Sequence, residues 1–235
     1  MSRLLLLMKK ILPYPILRFL GFARGLLRWS VSYSQYGEDL IILEYFRKAQ
    51  IKNGVYLDIG GFHPIWISNT YWLHREGWTG HVVDIDSEKI RAFKLMRGAK
   101  VKTYCAAIST ETCPEKTVAI YKFDMAWSRI DTLSLEDAEI FRKRGGVYKK
   151  TFINTIAIND FLPRLGKINF LNIDIEGMDE AILMAMNFDE NAPELIVFED
   201  NHHWGGAPQV VDKLKRLGYQ HLFTSAGSVG YCKPL

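Results

Sequence analysis

The sequence predicts an α/β domain, a mainly parallel sheet covered by helices on both faces and closed by an antiparallel hairpin. Short β-prone apolar runs alternate with helix-period segments from Ser34 onward, the pattern of strands and helices that feeds one parallel sheet. The apolar runs read as buried strands, as expected where helices cover both faces. Near the C-terminus YQHLFT and VGYCKP flank a turn at Gly227, and that spacing reads as a hairpin.

Taken in order, Ser34 is the expected N-cap of a helix over 36–48, with Gly37 weakening its first turn. Val55, Tyr56, Leu57 and Ile59 form the first strand, which runs into Gly60 and Gly61. An irregular HPIWISNT segment leads to a helix over 71–76, stopped by Gly77. Residues 81–86, HVVDID, are the second strand, and Ser87 is the expected cap of the helix EKIRAFKLM. Residues 101–108 read as a third strand and 117–123 as a further one. The stretch 124–150 breaks the alternation. It is expected to hold a short helix over 135–144 and a hinge at Gly145 and Gly146; long excursions of this kind are often lids or substrate contacts, the other reading being a solvated insertion. Residues 169–175 and 195–199 are the next strands, followed by helices over 178–186 and 207–217.

A chain of 235 residues with 48% hydrophobic side chains suffices for one domain with a three-layer core and a short appendage, and excludes a disordered protein. The net charge of +4 is concentrated: residues 1–30 carry six cations and no acid, which leaves 24 basic against 26 acidic side chains in the rest. A near-neutral body offers no electrostatic footprint for nucleic acid. Cys105, Cys113 and Cys232 are widely spaced, so neither a zinc site nor a disulfide framework is expected, and a reducing, cytoplasmic compartment is the simpler inference. The chain is divided as a basic apolar segment, 1–33, and a main domain, 34–235. The segment's longest apolar run, from Leu4 to Met8, is far shorter than the roughly 20 residues of a membrane span, and it lacks the features of a secretory signal. Two readings fit it: an interfacial helix at a membrane surface, its cations meeting anionic head groups, or a helix packed on its own domain or a partner. The oligomeric state is left open.

The stretch GVYLDIGGFHP, beginning at Gly54, carries the most chemistry. An acid and two glycines at the end of a buried strand form a turn where ligands sit in open α/β sheets. The full G-x-G-x-x-G is missing, because Phe62, His63 and Pro64 follow Gly61. A pyrophosphate cradle is therefore disfavoured, and S-adenosylmethionine, which has no phosphate, is favoured over NAD.

SQYGED, YLDIGGFHP with SNT, GWTGHVVDID, AAIS and FLNIDIEG stand in this order along the chain, and together they resemble the FkbM-type S-adenosylmethionine-dependent methyltransferases. The resemblance covers nearly all of the chain after Ser34. It implies a Rossmann-like methyltransferase fold with a seven-stranded, mainly parallel sheet, and methylation of oxygen, often a hydroxyl of a sugar or a polyketide-like metabolite. The chain departs from the usual pattern at Asn172, where a lysine is common, at Asp179, where a glutamate is common, and at Asp84-Ile85-Asp86, where Glu-Pro-Asn is frequent.

Asp84, at the end of the second strand, is placed to accept from both ribose hydroxyls; strand-end solvation or a cap is its plainer reading. Asp58, Gly60 and Gly61 line the glycine turn, where the acid either holds the methionine ammonium or ties down the loop. The resemblance brings Glu38, with Asp39, to the cofactor's amino-acid end, although both also suit a helix N-terminus. Ala107 and Ser109 follow the third strand, where an adenine contact is expected, with packing as the alternative. Asp174 and Glu176 are the expected catalytic acids, Asp174 orienting the acceptor hydroxyl or acting as base, Glu176 having the plainer reading of a helix N-terminal acid. His202 and His203 in EDNHHWGG are candidate general bases. A divalent cation on Asp174, Glu199 or Asp200, and His202 is a further alternative, less favoured than a site without metal. His63 reads as a loop-fixing side chain or a site residue. The expected function is O-methylation of a hydroxyl on a carbohydrate, glycan or glycolipid-type acceptor, tilted toward a membrane-linked one by the basic segment. The alternatives are an NAD-dependent oxidoreductase and a non-catalytic membrane-associated binding protein on the same fold.

Overall fold

The computed structural model describes residues 32–111, 116–124, 128, 131–175, 177–189, 191–199 and 207–235; the expectations for residues 1–31 lie outside them. All elements below belong to one unit, Tyr33–Leu235. They run α1 (Glu38–Lys48), β1 (Val55–Ile59), α2 (Tyr71–Arg75), β2 (Thr79–Asp84), α3 (Ser87–Arg97), β3 (Val101–Cys105), β4 (Ala107–Ser109), β5 (Thr117–Phe123), α4 (Leu135–Lys143), β6 (Tyr148–Ala157), α5 (Ile158–Leu165), β7 (Phe170–Ile173), α6 (Asp179–Ala185), β8 (Leu195–Glu199), α7 (Pro208–Arg216), β9 (Gln220–Thr224) and β10 (Ser228–Cys232).

Seven strands form the expected sheet in the order β3-β2-β1-β7-β8-β10-β9. Neighbours from β3 to β8 are parallel, and β10 is antiparallel to both β8 and β9. This is a Rossmann-like sheet with a C-terminal antiparallel hairpin. From β1 the chain adds strands toward β3, and from β7 it adds them on the opposite side, so the order reverses between β1 and β7. Ligands in open α/β sheets bind in the crevice at that reversal, beyond the carboxyl ends of the strands.

Both faces of the sheet are covered. Leu57, Ile59, Val83, Leu171, Ile173, Ile196 and Phe198 pack on one side with Phe161 and Leu162 of α5, Ile182 and Leu183 of α6, and Val210 and Leu214 of α7. Tyr56, Val82, Phe170, Leu195 and Val197 pack on the other with Ile42 and Phe46 of α1, Leu73 of α2 and Phe93 of α3. Alternate residues of each strand thus feed opposite cores, and each fully buried side chain contributes about 1.5 to 3 kcal/mol.

Several local expectations need correction. The third strand, read as continuous over 101–108, is two strands in different sheets. β3 pairs with β2, the chain bends at Ala106, and β4 joins a second, three-stranded sheet in the order β4-β6-β5. The second strand stops at Asp84, so Asp86 lies beyond it and is the N-cap of α3, accepting from the Glu88 amide at 2.8 Å; Ser87 is instead the first helical residue. The N-cap of α1 is Gly37, with φ +94°, while Ser34 accepts from the amides of Gly37 and Asp39 and so caps the preceding turn. β6 and α5 were not expected at all. β6 takes up the end of the excursion, pairing Tyr148–Lys150 with Phe123–Tyr121.

Gly60 closes the β1 turn with φ +85°, and a Cβ there would lie 1.7 Å from the Asp174 carbonyl oxygen. Backbone meets backbone at the reversal, so no side-chain adjustment relieves the clash. Gly60→Ala is expected to cost about 4 kcal/mol or more in urea unfolding. Gly77→Ala has a comparable φ, +96°, but its nearest atom is at 3.3 Å, so it is expected to lose only the backbone strain of about 1 to 2 kcal/mol.

Candidate active site

A cavity of about 330 Å³ opens at the reversal, within the size range of small-molecule sites. Glu38, Asp58, Asp84, Asp131, Asp174 and Glu199 lie on its wall, with Lys89 the one lysine or arginine among the described lining residues. Its floor is the glycine turn. The Gly60 amide donates to the Val83 carbonyl at 2.8 Å, and a Cβ on Gly61 would strike the Val82 side chain at 2.6 Å.

Beneath the turn, Arg97 at the end of α3 is 3% exposed. Its Nε donates to the Pro64 carbonyl at 2.8 Å, Nη1 to Tyr56 Oη at 2.9 Å and Thr70 Oγ1 at 2.8 Å, and Nη2 to Ser68 Oγ at 2.8 Å. The guanidinium also lies over the rings of Phe93, Tyr71 and Tyr56. Thr70 passes the charge on, donating to Asp58 Oδ2 at 2.7 Å, while Asn172 Nδ2 donates to Asp58 Oδ1 at 2.9 Å and Asn172 Oδ1 accepts from Asn69 at 2.9 Å. Burial pushes the Asp58 carboxyl up, opposed by Arg97 and then by the bonds from Thr70 and Asn172. Asp58 Oδ2 is thereby committed to the loop between β1 and α2, and Oδ1 to Asn172 of β7. His63 fastens the same loop: its Nδ1 accepts from the amides of Ile65 and Trp66, both at 3.0 Å, and its ring stacks on Trp66.

Asp84 ends β2 at 6% exposure. Oδ1 accepts from the Asp86 amide at 2.6 Å, and Oδ2 lies 3.9 Å from Lys89 Nζ. Burial raises this carboxyl to about 6, against the pull of Lys89. Glu38 is buried as well, accepting from Ser225 Oγ at 2.7 Å and the Tyr36 amide at 2.8 Å. Asp39, fully buried beside it, accepts from the Tyr33 amide and Ser34 Oγ. Asp174 is exposed on the cavity wall, one residue beyond β7, its amide bonded to the Ile59 carbonyl at 2.9 Å.

The structure therefore brings Glu38, Asp58, Gly60, Gly61, Asp84, Ala107 and Asp174 together around one cavity. It does not bring Ser109 there, whose hydroxyl donates to the Glu111 carbonyl at 2.7 Å. Glu176, Asp200, His202 and His203 lie outside the described residues. Among the described residues no group of three His, Cys, Asp or Glu side chains is placed to hold a metal, and no helix is long and apolar enough to cross a membrane. Sequence reasoning missed Arg97, Lys89 and Asp131. The first two stand on α3 four residues either side of the buried Phe93, a spacing that could have marked them, and Asp131 sits in the excursion, where no periodicity marks a role.

Asp179 opens α6 with no exposed surface, its Oδ2 accepting from the Ile175 amide at 3.3 Å and its Oδ1 lacking a hydrogen-bond partner. Burial, then the charge of Glu199, raises this carboxyl to about 7. A carboxyl raised on folding favours the folded state fully below its ordinary value near 4, and that contribution is lost as pH rises through about 7. Asp179→Asn, which cannot ionise, is expected to be more stable than the wild type at pH 8, by about 4 kcal/mol at most, with the gap shrinking toward pH 4 in urea unfolding across that range.

The methyltransferase FkbM domain model matches residues 58–221. A search of curated protein sequences returns no match. Among solved structures, the chain is similar to a TehB-like SAM-dependent methyltransferase from Corynebacterium glutamicum, with 11% identity over 92% of this chain and 97% of that one, at TM-score 0.43. It is also similar to the N-methyltransferase NodS from Bradyrhizobium japonicum, with 12% identity over 84% and 94%, TM-score 0.43. A third is an O-methyltransferase from Bacillus cereus in complex with SAH, with 13% identity over 96% and 94%, TM-score 0.38.

Proposed function

The chain belongs to the FkbM methyltransferase family, and from that premise we propose that it moves a methyl group from S-adenosylmethionine to a hydroxyl oxygen of a carbohydrate, glycan or glycolipid-type acceptor. The observation that carries the cofactor is the acid-rich cavity at the sheet reversal, because a ligand with a sulfonium and an ammonium needs negative charge around it and no phosphate cradle. The residues present fit such a group. The glycine turn leads into the irregular stretch before α2 instead of opening a helix, so no helix N-terminus follows it to receive a pyrophosphate. This argues against the nicotinamide reading.

Bound S-adenosylmethionine would supply an electrophilic methyl on sulfur, and transfer is an in-line displacement that depends on alignment. The chain's own residues provide the rest. Asp84 accepts from the ribose hydroxyls with Oδ2, which lies 3.9 Å from Lys89 Nζ. Glu38 adds negative charge at the hairpin side, held through Ser225. Asp58 acts through the loop it fastens. Asp174, exposed on the wall, orients the acceptor hydroxyl and takes its proton as the bond forms. A neutral polyol is the acceptor most compatible with acids at the mouth, since a phosphate or carboxylate would be repelled. The basic, apolar stretch at residues 1–30 supports a membrane-linked acceptor met at the cytoplasmic surface.

Thermal-shift titration with S-adenosylhomocysteine and NAD in parallel tests the reading. S-adenosylhomocysteine at ~100-fold above its Kd is expected to add roughly 2.7 kcal/mol, and NAD nothing; stabilisation by NAD alone would overturn it. Asp84→Ala is expected to abolish that shift, whereas Asp174→Ala keeps it and loses turnover by 100-fold or more. Because Asp84 is raised to about 6 and the carboxylate is the better acceptor, S-adenosylhomocysteine affinity is expected to rise as pH passes upward through about 6.

A further inference from the structure

We propose that the turn joining α4 to β6, together with the first half of β6, is a contact surface for an anionic lipid bilayer, Val147 and Phe152 entering the head-group layer while the cations around them meet lipid phosphates. The contact goes beyond the methyltransferase reading and does not rest on it.

Residues 140–159 hold Arg142, Lys143, Arg144, Lys149 and Lys150 and no aspartate or glutamate. All five cations are exposed. Among the described residues, Arg142 pairs with Glu139 at 2.7 Å, and the other four enter no salt bridge. Glu139 also accepts from Tyr148 Oη, and Asp124 adjoins the turn through its amide, which donates to the Val147 carbonyl at 3.0 Å. A positive excess remains with both acids counted. A run of like charge is ordinarily a solvated face, and what sets this one apart is the apolar surface left among the cations. Val147 is 72% exposed and Phe152 66%, with Lys150 Nζ 5.7 Å from the Phe152 ring centroid.

The surface stands on a fixed base. Tyr121, Phe123, Phe141 and Tyr148 form a small core of edge-on rings between α4 and the second sheet. The turn itself is closed by the Gly145 amide on the Arg142 carbonyl and the Gly146 amide on the Phe141 carbonyl, both at 3.0 Å. β4 reaches only Thr155–Ala157 of β6, so Tyr148–Asn154 pairs with β5 alone. Lysines on such an open edge also deter pairing between copies, but that role needs the cations without Val147 and Phe152, which would favour pairing. A nucleic acid would likewise use the cations and gain little from an aliphatic side chain at the turn. A bilayer uses both, apolar side chains at the acyl boundary and cations against anionic head groups. Through Tyr121, β5 also carries the bridge to Thr132 on the cavity wall. A bilayer held at β6 therefore stands against the same small sheet that borders the cavity, as a lipid-linked acceptor would require.

Flotation of the full chain with vesicles of phosphatidylcholine alone, and of phosphatidylcholine with about a quarter phosphatidylglycerol, tests the contact. The wild type is expected to float with the anionic vesicles and not with the neutral ones. Lys149→Gln with Lys150→Gln is expected to weaken that partition about 25-fold, at ~5-fold per cation, and Val147→Ser with Phe152→Ser about 10-fold. Lys52→Gln with Lys94→Gln removes the same charge from exposed positions elsewhere and is expected to change it less than about 3-fold. Unfolding midpoints of the variants keep a loss of fold from being read as a loss of binding. Equal effects of the two lysine pairs, or full partition of the serine variant, overturns the contact. A wild type that stays off both vesicles, or that does so while binding a single-stranded oligonucleotide through Lys149 and Lys150, overturns it as well. None of these outcomes bears on S-adenosylhomocysteine binding, so the methyltransferase reading stands or falls separately.

Discussion

The site depends on one buried cation. Arg97 ends α3 beneath the glycine turn, and its four hydrogen bonds fix the irregular chain between β1 and α2, through Pro64, Ser68 and Thr70, against the face of β1 at Tyr56. Removing a guanidinium from water is expensive, and the energy is recovered only when every donor is matched and an opposing charge lies near. Thr70 provides that link by accepting from Arg97 and donating to Asp58. The acid of the glycine turn is thus held by the loop that it anchors. A substitution of Arg97 would leave Asp58 as an uncompensated buried charge and free the loop on the cavity wall, so stability and ligand geometry are coupled through one side chain.

Around this anchor the cavity keeps its acids under strain. Asp58 and Asp84 are both raised, with burial the largest cause in each. Without a cationic ligand nearby, each gains by holding a proton. A positively charged ligand would repay that desolvation by stabilising the ionised forms, so binding and ionisation favour one another. The same arrangement penalises an anionic ligand, which would add charge to a wall already rich in it. Charge complementarity here selects among ligands more than it adds affinity.

The sheet was legible because its central strands supply apolar side chains to both faces, and Val82 and Val83 or Leu171 and Phe170 serve opposite cores. The glycine turn was legible for a similar reason: a backbone that approaches the Asp174 carbonyl so closely excludes a Cβ, and the sequence must place glycine there. β6 was not. Its burial alternates only weakly, and Phe152, its largest apolar residue, is 66% exposed, so no period separates it from a loop. α5 was hidden by Pro163, which stands inside the helix and reads in sequence as a breaker. Arg97 and Lys89 share the face of Phe93 at four-residue spacing, but a cation on a helix is ordinarily a solvated one and so was not read as buried. Asn172 is intermediate. Its departure from the lysine common at that position was visible, but not its consequence, which is to bridge Asp58 to Asn69 with a neutral amide.

The break at Ala106 explains why the excursion after β5 belongs to the site. Were residues 101–108 one straight strand, β4 would extend the main sheet past Asp84 and the cavity would lack a wall on that side. Instead the Ala106 amide bonds to the Asp84 carbonyl at 3.1 Å, and β4 turns away to pair with β6. That pairing carries β5 with it, since β6 is the middle strand of the second sheet. β5 in turn holds Asp131 and Thr132 through Phe123 and Tyr121. The second sheet thus acts as a bracket, converting a bend beside the β2 acid into a fixed position for a side chain some 25 residues further along the chain. This part of the cavity wall is tied to paired strands through Phe123 and Tyr121 and is not a free loop.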